Sequence, residues 1–258
     1  MSRVSLPTLE VRGVRVCFGG VIALRDVSLK VEGGMRYGII GPNGAGKTTL
    51  FNVVTGFIFP DRGQVFINGT DVTRLAPHRR ARLGLARTFQ ITTLFLDLTA
   101  LENVMMGAMV TVGHHRSMWR SAHLDRDARA LAEALLCELG IGHLAYVPVR
   151  EMAYGQQRQL EIAVALSTNP RILLLDEPTA GLSAVETRAV CQLIRGLRKD
   201  LTVVIIEHDL DVIFDLADHV TVLHNGSCIA DGPADTVRED PVVKEVYLGG
   251  WRRSGASN

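Results

Sequence analysis

Residues Gly41 to Thr48 constrain the fold of this chain more than any other segment. They match the pattern G-x-x-x-x-G-K-[ST], in which glycines allow successive backbone N–H groups to surround a phosphate. The apolar run Tyr37 to Ile40 before them predicts a buried parallel strand, and Thr48 to Thr55 after them predicts a helix. This order of strand, loop and helix predicts an α/β core that binds a nucleotide where the helix starts.

The residues of this segment, called the phosphate loop below, have separate predicted roles. Lys47 is expected to reach the β- and γ-phosphates, the hydroxyl of Thr48 to bind Mg²⁺, and Thr49 to support the α-phosphate. The helix start adds its partial positive charge. The predicted nucleotide-binding residues of this region are Gly41, Pro42, Asn43, Gly44, Ala45, Gly46, Lys47, Thr48 and Thr49.

Two acidic residues follow a second apolar run. Ile172 to Leu175 predicts a buried strand, and Asp176 and Glu177 come directly after it. Because nucleotide sites form at the carboxyl ends of parallel strands, we expect both acids to lie near the phosphate loop. Asp176 is suited to hold Mg²⁺ and its waters, and Glu177 to polarise the attacking water as general base.

The order of predicted elements indicates a core that is interrupted once. Strand patterns dominate the N-terminal part, at Leu9 to Phe18, Leu24 to Val31 and Gln64 to Ile67. Helical spacing replaces them between about Thr92 and Thr168, and the α/β alternation returns after Pro170. A parallel core with a helical insert accounts for this order.

Two apolar stripes predict helices in the insert. They consist of Leu101, Val104, Met105 and Ala108, and of Ala128, Leu131, Leu135, Leu136 and Leu139. Between them, Thr111 to Asp127 is polar and irregular and predicts a solvent-facing loop. A metal site is the alternative for its residues His114, His115 and His123, although no second cluster with ligand spacing accompanies them.

Composition and charge exclude several classes of protein. The chain has 258 residues, 47% of them hydrophobic, which suits a globular unit with a large core. Its formal net charge of +1 gives no strong field for nucleic acid. No run approaches the roughly 18–20 apolar residues of a membrane span, and Met1 to Thr8 has no apolar signal core. We therefore expect a soluble, cytoplasmic protein that can dock on a membrane protein.

The segment Ala153 to Gln156, called the signature segment below, comes just before a predicted helix at Arg158 to Leu166. A helix start carries N–H groups without partners inside the helix, and these can bind phosphate. The insert separates this segment from the phosphate loop of its own chain, so we expect it to meet the nucleotide of a second subunit. Its residues are Ala153, Tyr154, Gly155 and Gln156.

The phosphate loop, the signature segment and the acidic pair together resemble the ATPases of ABC transporters, along nearly the full length of the chain. Further residues fall in the order of that family. By this resemblance Phe18 stacks on adenine, Gln90 touches Mg²⁺ and the attacking water, and His208 contacts the γ-phosphate. Ala180 to Ser183 matches the loop that crosses the family's dimer interface.

The resemblance implies both a fold and an activity. The implied fold is α/β, with a RecA-like P-loop NTPase core, an N-terminal antiparallel β subdomain and an inserted α-helical subdomain. The β subdomain and the first part of the core then occupy residues 1–91, the helical subdomain 92–168 and the second part of the core 169–258. The implied activity is ATP hydrolysis, with Mg²⁺ held by Thr48, Gln90 and Asp176 and with Glu177, His208 and Gln90 as catalytic residues.

A narrower resemblance concerns the ATPases that drive the uptake of branched-chain amino acids. It rests on Arg87–Gln90, Leu101–Asn103, Ala153–Gln156, Leu160–Ala163 and Tyr247–Gly249. It implies a second ATPase subunit (a paralogue or a second copy), two transmembrane permease subunits and, indirectly, a periplasmic solute-binding protein, with no nucleic acid. It also implies a peripheral location on the cytoplasmic face of a bacterial inner membrane. Importers of urea, short amides or aromatic acids share this architecture and stay open as alternatives.

The chain departs from the family in its signature, where Met152 replaces leucine and Ala153 replaces serine, and also at Ser183. The usual signature is Leu-Ser-Gly-Gly-Gln, whose serine hydroxyl binds the γ-phosphate, and Ala153 lacks this group. Losing one hydrogen bond to a charged group costs about 1.5–3 kcal/mol. Backbone N–H groups remain, and alanine is usual in the narrower group, so we expect activity to be retained. The second departure is Ser183, where the family usually has Asp or Asn.

Three other classes of protein are less well supported by the sequence. A DNA-repair or chromosome-scaffold ATPase would need a long coiled coil between the phosphate loop and the signature segment, and the sequence has none. An ATP sensor without hydrolysis is disfavoured by Glu177 and His208. A cytosolic assembly ATPase without membrane partners, such as one for iron–sulfur clusters, stays open, and co-purification with hydrophobic subunits would separate it from a transporter.

Overall fold

The computed structural model describes residues 8–88, 94–111 and 121–254. The strands in these residues are β1 Leu9–Phe18, β2 Val21–Val31, β3 Arg36–Ile40, β4 Arg62–Ile67, β5 Thr70–Asp71, β6 Leu85–Arg87, β7 Ile172–Asp176, β8 Thr202–Ile206, β9 His219–His224 and β10 Ser227–Pro233. The helices are α1 Lys47–Thr55, α2 Pro77–Ala81, α3 Ala100–Thr111, α4 Ser121–Glu138, α5 Tyr154–Ser167, α6 Ala184–Gly196, α7 Leu210–Leu216, α8 Ala234–Glu239 and α9 Pro241–Ser254. Within the described ranges, every helix is too short or too polar to cross a lipid bilayer.

The strands form two sheets. An antiparallel sheet has the order β2-β1-β4-β5, and a six-stranded sheet has the order β10-β9-β3-β8-β7-β6. In the larger sheet β3 pairs in parallel with β8 and β9, and β7 pairs in parallel with β8 and β6, while β10 pairs antiparallel with β9. The predicted α/β fold with an antiparallel β subdomain and a helical insert is confirmed. The division at residues 91 and 168 stays a prediction.

The central strands of the larger sheet carry apolar residues on both faces. Every residue of β7 and of β8 is buried. Leu174 and Val204 pack with α1 and the antiparallel sheet, whereas Leu175 and Ile205 pack with α6 and α7 on the other face. Because β3, β8 and β7 are parallel neighbours, their carboxyl ends lie along one edge, and the site described below is at this edge.

The helical insert has an apolar core of its own, formed by α3, α4 and α5. Leu101, Val104 and Ala108 of the first predicted stripe are buried, and Met105 is partly buried. On α4 the prediction is only partly correct. Ala128, Ala132 and Leu136 are buried, four residues apart, whereas Leu131 is 37% exposed. The buried positions therefore follow the i, i+4 spacing of a helix, and Leu131 of the predicted stripe lies beside them.

The prediction of a polar loop up to Asp127 is wrong for its last seven residues. The helix α4 begins at Ser121, and residues 112–120 lie outside the described part. Packing of the later turns stabilises this helix, and the helix then extends towards its N-terminus through polar residues. Each added residue gains a backbone hydrogen bond without the cost of nucleating a new helix. His114, His115 and the side chain of His123 lie outside the described residues, so a metal site in this segment stays an alternative.

Arg80 on α2 caps the end of the helix that follows the phosphate loop. Its side chain is fully buried. Nη1 donates to the carbonyl oxygens of Val53 and Val54, both at 2.7 Å, and Nε and Nη2 donate to the carbonyls of Leu75 and Thr73. The last carbonyls of a helix lack partners within it and carry partial negative charge. Burial lowers the pKa of Arg80 to about 10, so the guanidinium stays cationic at neutral pH.

We expect Arg80→Met to lower the free energy of unfolding by about 3 kcal/mol, because each buried acceptor left without a donor costs about 1–3 kcal/mol. Urea denaturation followed by circular dichroism measures this change. The exposed neighbour Arg79 offers a matched control, and Arg79→Met should change stability by less than about 0.5 kcal/mol. Equal losses in the two variants would contradict the capping role.

Candidate nucleotide-binding and hydrolysis site

The phosphate loop joins the end of β3 to the start of α1, as predicted. Gly46, the residue before α1, has a φ of 103°. A Cβ atom there would lie 2.6 Å from the carbonyl oxygen of Ala23, so position 46 requires glycine. Because Gly46 has no side chain to cap the helix, the first N–H groups of α1 are left for an anion.

Lys47 is folded back onto the phosphate loop. Its side-chain nitrogen donates to the carbonyl oxygens of Gly41, at 2.5 Å, and Pro42, at 3.1 Å. Burial lowers the pKa of Lys47, while the charges of Glu177 and Asp176 act to raise it. The structure therefore brings the loop lysine and the acidic pair close enough to interact, as the strand-end argument predicted.

Asp176 lies buried at the end of β7, 2% exposed. Its Oδ2 accepts a hydrogen bond from Arg87 Nη2 at 2.7 Å, and Arg87 Nη1 donates to Asn52 Oδ1 on α1 at 2.7 Å. The other oxygen of Asp176, Oδ1, is buried and has no hydrogen-bond partner among the described residues. Mg²⁺ and its waters bind to carboxylate oxygens, so Asp176 fits the metal role predicted for it.

Glu177 and His208 follow the adjacent strands β7 and β8. The N–H of Glu177 donates to the carbonyl of Ile206 at 2.9 Å, and Glu177 has a φ of 48°. This left-handed conformation costs a non-glycine residue about 1–3 kcal/mol and is concentrated at functional sites. Nδ1 of His208 lies 3.8 Å from Oε2 of Glu177, and the two side chains are 58% and 22% exposed. Both can therefore reach one group that enters from solvent.

The signature segment starts α5, with Ala153 as the residue before the helix. The side chain of Gln156 accepts a hydrogen bond from the N–H of Ala153 at 2.9 Å. The N–H of Gly155 donates to Oε1 of Glu186 on α6 at 3.1 Å. Tyr154 accepts a hydrogen bond from Arg158 at 2.8 Å. The helix therefore begins four residues earlier than the predicted start at Arg158, so the signature segment forms its first turn. One N–H group of the segment is bonded to a carboxylate of the same chain.

Ser183 caps the start of α6. Its hydroxyl accepts a hydrogen bond from the N–H of Glu186 and donates to Oε2 of Glu186 at 2.7 Å, and its own N–H donates to the same oxygen at 2.9 Å. Serine is as good a residue for this role as aspartate or asparagine. The departure from the family at this position therefore leaves the helix start intact.

Four further predicted residues differ in how the structure presents them. Phe18 ends β1 with its ring 50% exposed, as a residue that stacks on a base requires. Thr48 is exposed and Thr49 half-buried, both in the first turn of α1. Gln90 lies outside the described residues, so its predicted metal and catalytic roles rest on the sequence alone.

Two residues of the site, Arg87 and Glu207, were not predicted from the sequence to have a function. Arg87 was noted only as part of a resemblance, although its guanidinium binds Asp176. Glu207, fully buried directly before His208, accepts hydrogen bonds from Thr179 and from the N–H of His208. The sequence feature that could have indicated Glu207 is an acidic residue between an apolar strand and the predicted histidine His208.

The model of the ABC transporter family matches residues 24–180 of the 258. The chain belongs to the ABC transporter family. A second model, described as the branched-chain amino acid ATP-binding cassette transporter, matches residues 227–250 of this ABC ATPase, which include β10 and most of α9.

Relatives match the ABC ATPase over nearly its whole length. The high-affinity branched-chain amino acid transport ATP-binding protein BraF of Pseudomonas aeruginosa is 40% identical over 259 residues, covering 95% of this chain and 99% of BraF. LivG of Escherichia coli K12, with the same description, is 36% identical over 259 residues, again covering 95% and 99%.

Solved structures match the ABC ATPase equally broadly. The ADP conformation of MJ1267, an ATP-binding cassette of an ABC transporter, has a TM-score of 0.83 and 34% identity, covering 95% of this chain and 99% of that one. The dimeric post-hydrolysis state of the cassette MJ0796 bound to ADP and Pi has a TM-score of 0.73 and 25% identity, covering 88% and 98%. The fold is thus that of an ABC ATPase cassette.

Proposed function

We propose that this ABC ATPase hydrolyses ATP to power the uptake of branched-chain amino acids, working from the cytoplasmic face of a bacterial inner membrane. The match of residues 227–250 to the branched-chain amino acid model supports this solute most directly. The similarity to BraF and LivG over 95% of the chain supports it as well. Hydrolysis rather than sensing is supported by the proximity of Glu177 and His208.

ATP is proposed to bind with its adenine on Phe18 and its phosphates in the loop from Gly41 to Thr49. The half-exposed ring of Phe18 leaves an aromatic face for stacking. Lys47 leaves the carbonyls of Gly41 and Pro42 and donates to the β- and γ-phosphates instead. The loop N–H groups and the start of α1 stabilise the negative charge of the phosphates.

Mg²⁺ is proposed to be held by Thr48, Gln90 and Asp176. The hydroxyl of the exposed Thr48 and Oδ1 of Asp176, which has no hydrogen-bond partner among the described residues, are both oxygen ligands of the kind that Mg²⁺ prefers. When bound, the ion neutralises charge on the β- and γ-phosphates. Arg87 fixes the orientation of Asp176 through Oδ2 and leaves Oδ1 for this role.

The chain's own residues then perform the proton transfer. Glu177 is proposed to accept the proton of the attacking water as general base, and His208 to hold the γ-phosphate and the water. The separation of 3.8 Å between Oε2 of Glu177 and Nδ1 of His208 allows both side chains to contact the same reacting group.

A neighbouring ATPase subunit, which is a paralogue or a second copy, is proposed to supply its signature segment to the γ-phosphate. The contributing residues are Ala153, Tyr154, Gly155 and Gln156. Because Ala153 has no hydroxyl, the N–H groups at the start of α5 make this contact. The N–H of Gly155 must exchange Glu186 of its own chain for the phosphate.

The proposed importer has two permease subunits, and one of them is proposed to bind a groove between the core and the insert of this chain. The groove has a volume of about 550 Å³ and is lined by Phe57 and Arg87 from the core and by Val110 and Val164 from the insert. Thr88, also in its lining, is the last described residue before Gln90. A permease segment in this groove would therefore contact the residues that lead to the metal and the attacking water. A periplasmic solute-binding protein completes the proposed importer.

Purification of the tagged chain from the membranes of its own organism, in mild detergent, tests this proposal. We expect it to bring two hydrophobic subunits and a second ATPase subunit with it. The complex in proteoliposomes should then accumulate leucine, isoleucine and valine when ATP and the binding protein are supplied. Recovery without any hydrophobic subunit would favour a cytosolic assembly ATPase and overturn the proposal. Uptake of urea, amides or aromatic acids in place of leucine would overturn the solute.

A further inference from the structure

Glu207 is a buried carboxylate that the steps above do not use. It follows β8 directly, and its exposure is 0%. A buried carboxylate is costly unless hydrogen bonds compensate the loss of water. Three donors meet it. Oε1 accepts from the N–H of Thr179 at 3.0 Å and from its hydroxyl at 2.5 Å, and Oε2 accepts from the N–H of His208 at 3.1 Å.

These hydrogen bonds connect the two halves of the hydrolysis site. Thr179 lies two residues after Glu177, in a turn closed by a hydrogen bond from the N–H of Ala180 to the carbonyl of Glu177 at 3.1 Å. On the other side, Oε2 of Glu207 also lies 3.7 Å from Nδ1 of His208. One carboxylate therefore holds both the turn that carries Glu177 and the residue that carries His208.

The backbone conformation of Glu177 requires contacts of this kind to hold it. Its left-handed conformation, with a φ of 48°, persists only where surrounding contacts hold it. The hydrogen bond from Glu177 to Ile206 holds one end of the turn, and Glu207 holds the other end through Thr179. Two hydrogen bonds from one threonine to one carboxylate oxygen restrict both the position and the rotation of the turn.

We propose that Glu207 is a positioning residue for ATP hydrolysis, which sets the separation of Glu177 and His208. The inference rests on the proposed roles of those two residues and adds the group that holds them in register. Glu207 itself touches neither ATP nor the attacking water in this proposal.

The variant Glu207→Gln tests the proposal, because glutamine keeps the shape but places an amide donor against the N–H groups of Thr179 or His208. We expect kcat for ATP to fall at least about tenfold while KM changes less than about twofold, since the phosphate loop is untouched. Thr179→Val should lower kcat in the same way, and Thr179→Ser, which keeps the hydroxyl, should restore it. Glu245→Gln, the same change at an exposed position, should have wild-type kinetics.

A double variant distinguishes positioning from general structural support. If Glu207 acts on the turn of Glu177 through Thr179, adding Glu207→Gln to Thr179→Val should lower kcat by less than about twofold further. Each soluble variant should be folded at the assay temperature, as circular dichroism measures, and its affinity for a non-hydrolysable ATP analogue should stay near wild type.

Two outcomes would overturn the inference. One is wild-type kcat in both Glu207→Gln and Thr179→Val while Glu177→Gln is inactive, which would leave the proposed function intact. The other is a loss of kcat that only follows the loss of folded protein. Wild-type turnover in Glu177→Gln, measured in parallel, would instead remove the proposed function of that residue and the positioning role with it.

Discussion

Glu177→Gln should bind ATP with wild-type affinity and hydrolyse it about 100- to 10,000-fold more slowly, the usual contribution of a general base. Glutamine has nearly the shape of glutamate but cannot accept the proton of the attacking water. The phosphate loop and Asp176 are unchanged, so nucleotide binding is retained. Single-turnover hydrolysis of radiolabelled ATP and equilibrium binding of the same nucleotide measure the two properties separately.

The outcome also bears on the dimer. If a neighbouring signature segment closes on the γ-phosphate, the uncleaved ATP should hold two subunits together, and sedimentation should detect a dimer that ADP does not support. Glu245→Gln at an exposed position is the matched control and should turn over normally. Hydrolysis at the wild-type rate in Glu177→Gln would remove Glu177 as the base.

Lys47→Ala should weaken ATP binding about 10- to 150-fold, because a hydrogen bond to a charged group contributes about 1.5–3 kcal/mol and 1.4 kcal/mol corresponds to a factor of ten. The ammonium group is already inside the site, held by the carbonyls of Gly41 and Pro42. Its loss removes the cation that faces Glu177 and Asp176, so their negative charge would also repel the phosphates. Titration with a fluorescent ATP analogue measures the affinity.

Lys244→Ala is the matched control, since Lys244 is an exposed lysine near the C-terminal end of the sequence, where it pairs with Glu239. Its ATP affinity should equal that of the wild type. Tight ATP binding by Lys47→Ala, in protein with an unchanged unfolding midpoint, would contradict the role assigned to the phosphate loop.

Elements whose signal is local could be predicted from the sequence. The phosphate loop and the strand that ends in Asp176 each depend on residues that are neighbours in the chain. The edge that joins them also followed, because parallel strands place their carboxyl ends together. The comparisons confirm the family that these motifs indicated.

Contacts between distant residues could not be predicted in this way. Arg79 and Arg80 are identical side by side in the sequence, yet Arg79 is exposed and Arg80 is fully buried on four carbonyls. The bond between Glu207 and Thr179 joins residues 28 positions apart, and an acid before a histidine has no local pattern that marks it as buried. The first turns of α4 are polar, so helix formation there depends on the packing of later turns.

Glu186 joins the signature segment to the loop at residues 180–183. Through its two carboxylate oxygens it is bonded both to Gly155 at the start of α5 and to Ser183 at the start of α6. A Cβ atom on Gly155 would lie 2.7 Å from Oε1 of Glu186, so a larger residue there would displace the Glu186 side chain. The signature segment and the 180–183 loop are consequently joined through one carboxylate, and a phosphate that takes the N–H of Gly155 would release this link.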